Sequence, residues 1–258
     1  MNYSYIIYEE RQNIALITLN QPEKQNILSF DLIKEFSTCL RQVAQERRAT
    51  VIIVKGAGDN FCAGHDLNEI LHQDINNIRH LFQACLDLMM LIHTVPQPVI
   101  AQVHGIATAA GCQLAAACDL VVAEKGARFA TPGVQIGLFC TTPMVPLSRA
   151  VGRKKSLEML LTGKFISAQE AKEYGLVNRV VPKEKLEKET WALAKDIAQY
   201  SLAIINLGKQ TFYQQIEMAE KQAYQYAKEV ISANALMDDA LEGMSAFLEK
   251  RSPVWKEK

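Results

Sequence analysis

The sequence predicts an α/β fold with an all-helical C-terminal region. Three observations carry this reading. Short apolar runs of strand character alternate with helical periodicity up to residue 181. From residue 183 to residue 258 only helical patterns remain. No long Ser-, Gly- or Pro-rich linker separates the two parts, so the tail is expected to pack on the core or on a neighbouring subunit.

The elements follow in order. Residues 5–8 and 14–19 read as a two-stranded hairpin joined by polar EERQN. Residues 30–46 carry Leu32, Phe36, Leu40 and Val43 at helical spacing, with Ser29 placed to cap the first turn. VIIV (51–54) is a continuously apolar strand, as expected when both sheet faces are covered. Gly-rich KGAGDNFCAGHD follows as a loop, then residues 75–93 as a long amphipathic helix. The unit repeats as a strand at 98–103, a turn HGIATAAG, a helix at 109–118 whose exit turn Asp119 caps, and a strand at 120–123. Ser167–Glu170 (SAQE) is a capping box, Gly175 a helix stop, and 176–181 the last strand. About four helical segments complete the chain after Pro182.

Bulk properties narrow the class. A length of 258 residues, 49% hydrophobic and 22% charged, belongs to an ordinary globular protein with a substantial core. The zero formal net charge argues against nucleic acid as a partner, since phosphate binding leaves a basic excess. No apolar run approaches the length of a membrane span, so no membrane insertion is expected. The N-terminal MNYSYIIYEERQ has neither signal-peptide nor Arg-rich transit character. Cys39, Cys62, Cys85, Cys112, Cys118 and Cys140 form no CxxC and read as reduced core thiols. A cytoplasmic location is the expectation. There is no GxGxxG, no P-loop and no GxSxG elbow. The five histidines show no metal-ligand spacing. Neither a metal nor a separate cofactor is expected.

Two turns of small residues remain, FCAGHDL (61–67) and HGIATAAGCQL (104–114), each following a strand. Ligands of parallel α/β folds bind beyond the carboxyl ends of strands. Two such turns can aim backbone N–H groups at one point, and the second leads into a helix N-terminus. That is the make-up of an oxyanion hole, where donors meet the charge that develops on an oxygen. Small residues also serve tight helix–strand packing, and composition alone does not separate the two uses.

At these residues the chain resembles the crotonase (enoyl-CoA hydratase/isomerase) family. The matching stretches are NQPEKQN (20–26), FCAGHDL, PVIAQVHGIATAAGCQLAAACDLVVA (98–123), FATPGVQIGL (129–138), SRAVGRKKSLEMLLTG (148–163), SAQEAKEYGLVNRVV (167–181) and GMSAFLEKRSPVW (243–255). The resemblance implies a crotonase/ClpP-like spiral of ββα units over residues 1–190, carrying an acyl-CoA site. Residues 191–258 would form a helical oligomerisation region, giving a homotrimer or a hexamer built as a pair of trimers. An acyl-CoA thioester is the implied ligand, with CoA entering as part of the substrate, nominally in fatty acyl-CoA metabolism. The N–H groups at Ala63 and Ala110 would hold the thioester oxygen, while Gly64, His65, Asp66 and Leu67 line the CoA pocket. Lys24 and Lys250 would meet CoA phosphates.

The departures from the family pattern carry the functional expectation. Hydratases of the family place glutamates where Gln113 and Gly133 stand, and dienoyl isomerases an aspartate where Thr141 stands. An amide can orient water but cannot take its proton. Hydration is therefore expected to be very weak or absent unless the two glutamates are restored. Decarboxylation, which makes an enolate without proton abstraction, is one alternative. The family's methylmalonyl-CoA decarboxylases match His65 but use a tyrosine where this chain has GLFCTTP, with Phe139 and Cys140. A non-catalytic acyl-CoA binder or interaction subunit is the other.

Overall fold

The computed structural model describes residues 3–256. β1 (Ile6–Arg11) and β2 (Ile14–Leu19) form the opening hairpin. Its turn is Gln12–Asn13, with φ of 53° and 60°. Such a left-handed pair matches the twist of the flanking strands. The link is therefore shorter than the polar EERQN, because β1 keeps pairing through Arg11.

β2 is buried along its whole length and pairs in parallel with β3 (Val51–Gly56). β4 (Val99–Val103), β6 (Leu120–Glu124) and β9 (Arg179–Val181) extend the sheet in parallel. The order is β1-β2-β3-β4-β6-β9, with only β1 antiparallel to its neighbour. Strand alternation divides VIIV between two cores. Ile52 and Val54 join Leu32, Phe36 and Leu40 of α1 (Phe30–Glu46) and Leu88 of α2 (Ile75–Thr94). Val51 and Ile53 pack with Leu186 and Ala194 of α6 (Leu186–Ala198). Both expected N-caps are present: Ser29 Oγ accepts the Leu32 N–H, and Ser167 and Glu170 form the reciprocal box on α5 (Ala168–Glu173).

A second, three-stranded sheet has the order β5-β7-β8, from β5 (Ile106–Thr108), β7 (Arg128–Ala130) and β8 (Ile166–Ser167). Part of the expected turn HGIATAAG is thus a strand. At two or three residues such strands carry no period to read, and their partners lie far along the chain. Cys62 adds a parallel bridge to Ala107, which draws the first small-residue turn against the second. α3 (Ala110–Ala117) follows β5 directly, and α4 (Met144–Thr162) bends at Gly152, whose φ is 76°.

The C-terminal helices are α6, α7 (Leu202–Gln215), α8 (Glu220–Asn234) and α9 (Asp238–Glu249). A boundary at residue 190 falls inside α6, where Thr190 is fully buried. α6 covers the sheet and belongs with it; the change of character comes after Ala198. α7 is tied to the core by a buried ion pair. Lys209 Nζ donates to Asp119 Oδ2 at 2.7 Å and to the carbonyls of Ile92 and Gln97 at 2.7 and 2.9 Å. Asp119 also accepts the Val99 N–H and the Tyr213 hydroxyl. It is therefore a hub between helix and sheet rather than a turn cap. All six cysteines are unpaired and buried. Among the described residues no helix is long and apolar enough to cross a membrane.

Candidate functional site

The two small-residue turns are laced together by backbone. The Cys62 N–H donates to the Ile106 carbonyl at 3.2 Å, and the Thr108 N–H to the Cys62 carbonyl at 3.0 Å. The Thr108 hydroxyl donates to the Ala63 carbonyl at 3.0 Å. Gly111 makes the approach possible: a Cβ there would lie 2.1 Å from the Cys62 carbonyl oxygen. Gly64, at φ +110°, also faces the second turn, where a Cβ would fall 3.0 Å from the Ala109 Cβ and 3.5 Å from the Ala110 nitrogen.

Ala109 joins β5 to α3 at φ 49° and ψ −118°, a left-handed conformation that an alanine adopts at a cost of about 1–3 kcal/mol. Its N–H is held by the Ala130 carbonyl at 3.0 Å, and its own carbonyl accepts the Gln113 N–H at 3.0 Å. Strain here turns the chain so that Ala110 begins the helix. The first N–H groups of a helix have no intrahelical acceptor, and they carry the positive end of its dipole.

The N–H groups of His65 and Ala110, one on each turn, are among those with no partner among the described residues. That of Ala63 is not, because it donates to the Gln25 carbonyl at 3.0 Å. The expected donor pair is corrected accordingly. The Ala110 N–H has no partner, and in the first turn His65, two residues after Ala63, carries an N–H without one.

The His65 ring is fixed. Its Nδ1 lies 3.0 Å from the Leu28 carbonyl, which can only accept, so Nδ1 bears the hydrogen. Phe82 meets the ring edge-on at 5.3 Å. Nε2 is buried with no partner. Burial pushes the imidazole pKa below its ordinary value, partly offset by the Leu28 carbonyl, so the neutral ring is favoured.

The acid positions look different. Gln113 is buried on α3, and its Oε1 has no hydrogen-bond partner. Thr131, fully buried beside Ala130, has a hydroxyl in the same condition. At Gly133 the space is filled. Its N–H donates to Cys140 Sγ at 3.3 Å, and a Cβ would lie 2.7 Å from the Leu138 carbonyl oxygen and 2.9 Å from that sulfur. A glutamate introduced there requires the Leu138 carbonyl and Cys140 to shift, so restoring both acids asks for more than two side-chain changes. Burial raises the Cys140 thiol pKa, which leaves it a packing group rather than a nucleophile. Thr141 is exposed, its N–H donating to the Phe139 carbonyl at 2.7 Å.

Among the CoA-pocket candidates, Asp66 accepts from the Asn68 N–H and side-chain amide at 3.0 and 2.9 Å, capping a 3-10 turn over Leu67–Glu69. Leu67 is exposed. Lys24, also exposed, precedes Gln25, whose carbonyl holds Ala63, so it stands beside the first turn. Lys250 ends α9, and no described contact brings it to either turn. Sequence reasoning missed Gln25, which binds the first turn, and Ala109, whose strained backbone has no residue-type signal such as a glycine.

Against known proteins, the model described as enoyl-CoA hydratase/isomerase matches residues 9–258. Enoyl-CoA hydratase domain-containing protein 3, mitochondrial, of Mus musculus is 44% identical over 247 residues, covering 95% of this chain and 82% of the relative. Enoyl-CoA hydratase, mitochondrial, of Pongo abelii is 35% identical, covering 99% and 89%. The crystal structure of human enoyl Coenzyme A hydratase domain-containing protein 3 superposes with a TM-score of 0.96 at 44% identity, covering 98% and 100%. An enoyl-CoA hydratase of Mycobacterium smegmatis gives 0.95 at 44% identity, covering 98% and 99%. The mouse and orangutan names place those proteins in the mitochondrion, in contrast to the cytoplasmic expectation for this chain.

Proposed function

The chain belongs to the enoyl-CoA hydratase/isomerase family, and from that premise we propose that it binds an acyl-CoA thioester and does not hydrate it in the ordinary way. The thioester oxygen would lie between the N–H groups of His65 and Ala110. What supports this most is that these two backbone donors, one on each of two turns held together through Cys62, Thr108 and Gly111, have no partner among the described residues. Donors placed where charge develops stabilise an enolate at no reorganisation cost. The remaining chemistry lacks a carboxylate at Gln113 and Gly133, and each general acid or base contributes roughly 10²–10⁴-fold.

Two measurements test the reading. Calorimetric titration with a saturated acyl-CoA should show saturable binding. Crotonyl-CoA should lose its conjugated-thioester absorbance at least about 10²-fold more slowly than with a glutamate-bearing hydratase of the family. Absence of binding, or hydration at the ordinary rate, overturns the proposal.

Decarboxylation is a second reading, favoured by the buried, unpartnered Nε2 of His65. The C–C bond to the carboxylate would break, carbon dioxide would leave, and the electron pair would pass into an enolate held by the two donors. A proton from water then completes the acyl-CoA. Carbon dioxide release from methylmalonyl-CoA, lost in His65→Ala, is the expected result; no release removes this reading and leaves the non-catalytic binder. No cofactor besides the CoA of the substrate is called for. Exposed Phe212, Ile231, Phe247 and Leu248 on α7–α9, with Leu236 between α8 and α9, support self-association as a homotrimer or a pair of trimers. Sedimentation of the purified chain as a monomer would exclude it.

A further inference from the structure

A pocket of about 470 Å³ lies at the carboxyl edge of the main sheet, on the face that α6 covers. Under α6 that face is apolar: Leu16, Ile53, Ile100 and Val122 lie in its core. Two residues further along each of the same four strands stand Thr18, Lys55, Gln102 and Glu124. Residues i and i+2 of a strand share a face, so one row of the sheet changes from hydrocarbon to polar groups. Thr18 is paired with Lys55, and Lys55 with Gln102, in register. These side chains form the pocket floor, with His104, Lys183 and Glu187 among its walls.

Two floor residues are more than nine-tenths buried and carry an oxygen without a partner. Gln102 and Glu124 are each 6% exposed, and Gln102 Oε1 and Glu124 Oε2 bond to nothing among the described residues. The other carboxylate oxygen of Glu124 accepts the Gly105 N–H at 3.0 Å, which fixes the group in place. His104 Nε2 is held by the Gly58 carbonyl at 2.9 Å. The walls thus also hold the stems of both small-residue turns. A buried, unmatched carboxylate oxygen is costly unless a donor meets it, and a cationic donor meets it best. Charges of the opposite sign are close by, for Glu124, Lys55 and Lys183 all act electrostatically on His104. Among the described residues no cluster of three His, Cys, Asp or Glu side chains exists to hold a metal ion.

We propose that this pocket is a second ligand site, for a small zwitterion whose ammonium group meets Glu124 and Gln102 and whose carboxylate meets Lys55 or Lys183. Its size falls within the range of small-molecule sites, about 300–1,000 Å³. The site is separate from the acyl-CoA reading, and no acyl-CoA enters its test. Ligand-detected NMR and calorimetry on the full chain would use the proteinogenic amino acids as probes, with ethylamine and acetate as one-ended controls. At least one amino acid should bind saturably, and both controls at least tenfold more weakly. Glu124→Gln, which keeps an acceptor for Gly105, should weaken that binding at least tenfold. The double variant Lys55→Met with Lys183→Met should do the same, and it decides the matter should the first variant fail to fold. If no probe binds saturably, or binding survives the folded variants unchanged, the pocket holds water alone and the proposal falls.

Discussion

The donor side and the acid side of the candidate site are built in opposite ways. On the donor side, glycine at 64 and 111 and a strained Ala109 keep two backbone N–H groups available. On the acid side, the positions of Gln113 and Gly133 hold an amide and a packed thiol contact. One half is kept open by backbone; the other has been filled or neutralised. The difference teaches which half the fold cannot do without. The donors are products of how two turns pack, so losing them means unpacking β5 and α3. The acids are side chains, which can change while the fold stands.

The largest effect should come from forcing the two turns apart. In Gly111→Val the new side chain must displace the Cys62 carbonyl, which a Cβ would approach to 2.1 Å. Overpacking of this kind costs about 1–3 kcal/mol, and the displaced loop carries the His65 donor. Acyl-CoA affinity should fall at least a hundredfold by calorimetry. Retained affinity would mean that the donor side is not the binding half.

Next in size is the attempt to rebuild the acid side. Gln113→Glu with Gly133→Glu should not produce a hydratase, because the second side chain has to move the Leu138 carbonyl and Cys140. The double variant should instead lose about 1–3 kcal/mol of stability in urea unfolding. A stable variant with crotonyl-CoA hydration near that of a glutamate-bearing hydratase would show that both halves are intact.

Legibility in the sequence follows the same division between local and distant causes. Ser29, Ser167 and Gly175 act within a turn of themselves, and each could be read from its neighbours. The main strands announced themselves by apolar runs. β5, β7 and β8 did not, since each is defined by a partner elsewhere in the chain. Asp119 and Lys209 meet across 90 residues, and nothing near either foretells the pair. At the site, the small-residue turns were visible, but which N–H stays available was not. That depends on the Gln25 carbonyl, which reaches Ala63 through the fold. The blocked Gly133 depended likewise on Leu138 and Cys140 folding back over it.

A smaller effect is expected at Thr131, between the two halves. Its hydroxyl is buried with no partner, and leaving such a group unpaired costs about 1–3 kcal/mol. Thr131→Val removes the hydroxyl at nearly constant shape. Unfolding should show stability unchanged or raised by up to about 1 kcal/mol. A loss beyond that would mean the hydroxyl is satisfied by ordered water, and that the acid side is wetter than its packing suggests.

The smallest effect concerns His65, which belongs to both halves through its N–H and its ring. Its pKa is lowered from 6.5, chiefly by burial. The unfolded chain therefore takes up this proton at a higher pH than the folded one. Stability from this group is complete above pH 6.5 and declines as the pH falls through that value toward the folded pKa. His93 and His104 are shifted the same way, also chiefly by burial, so the whole protein should lose stability between about pH 7.5 and 5.5. In His65→Gln the fall in Tm across that range should be shallower but not abolished, because the other two histidines still titrate. An unchanged slope would mean that the His65 ring is solvated in the folded protein. Its Nε2 would then be an ordinary wet nitrogen, and the decarboxylation reading would lose the observation that favours it.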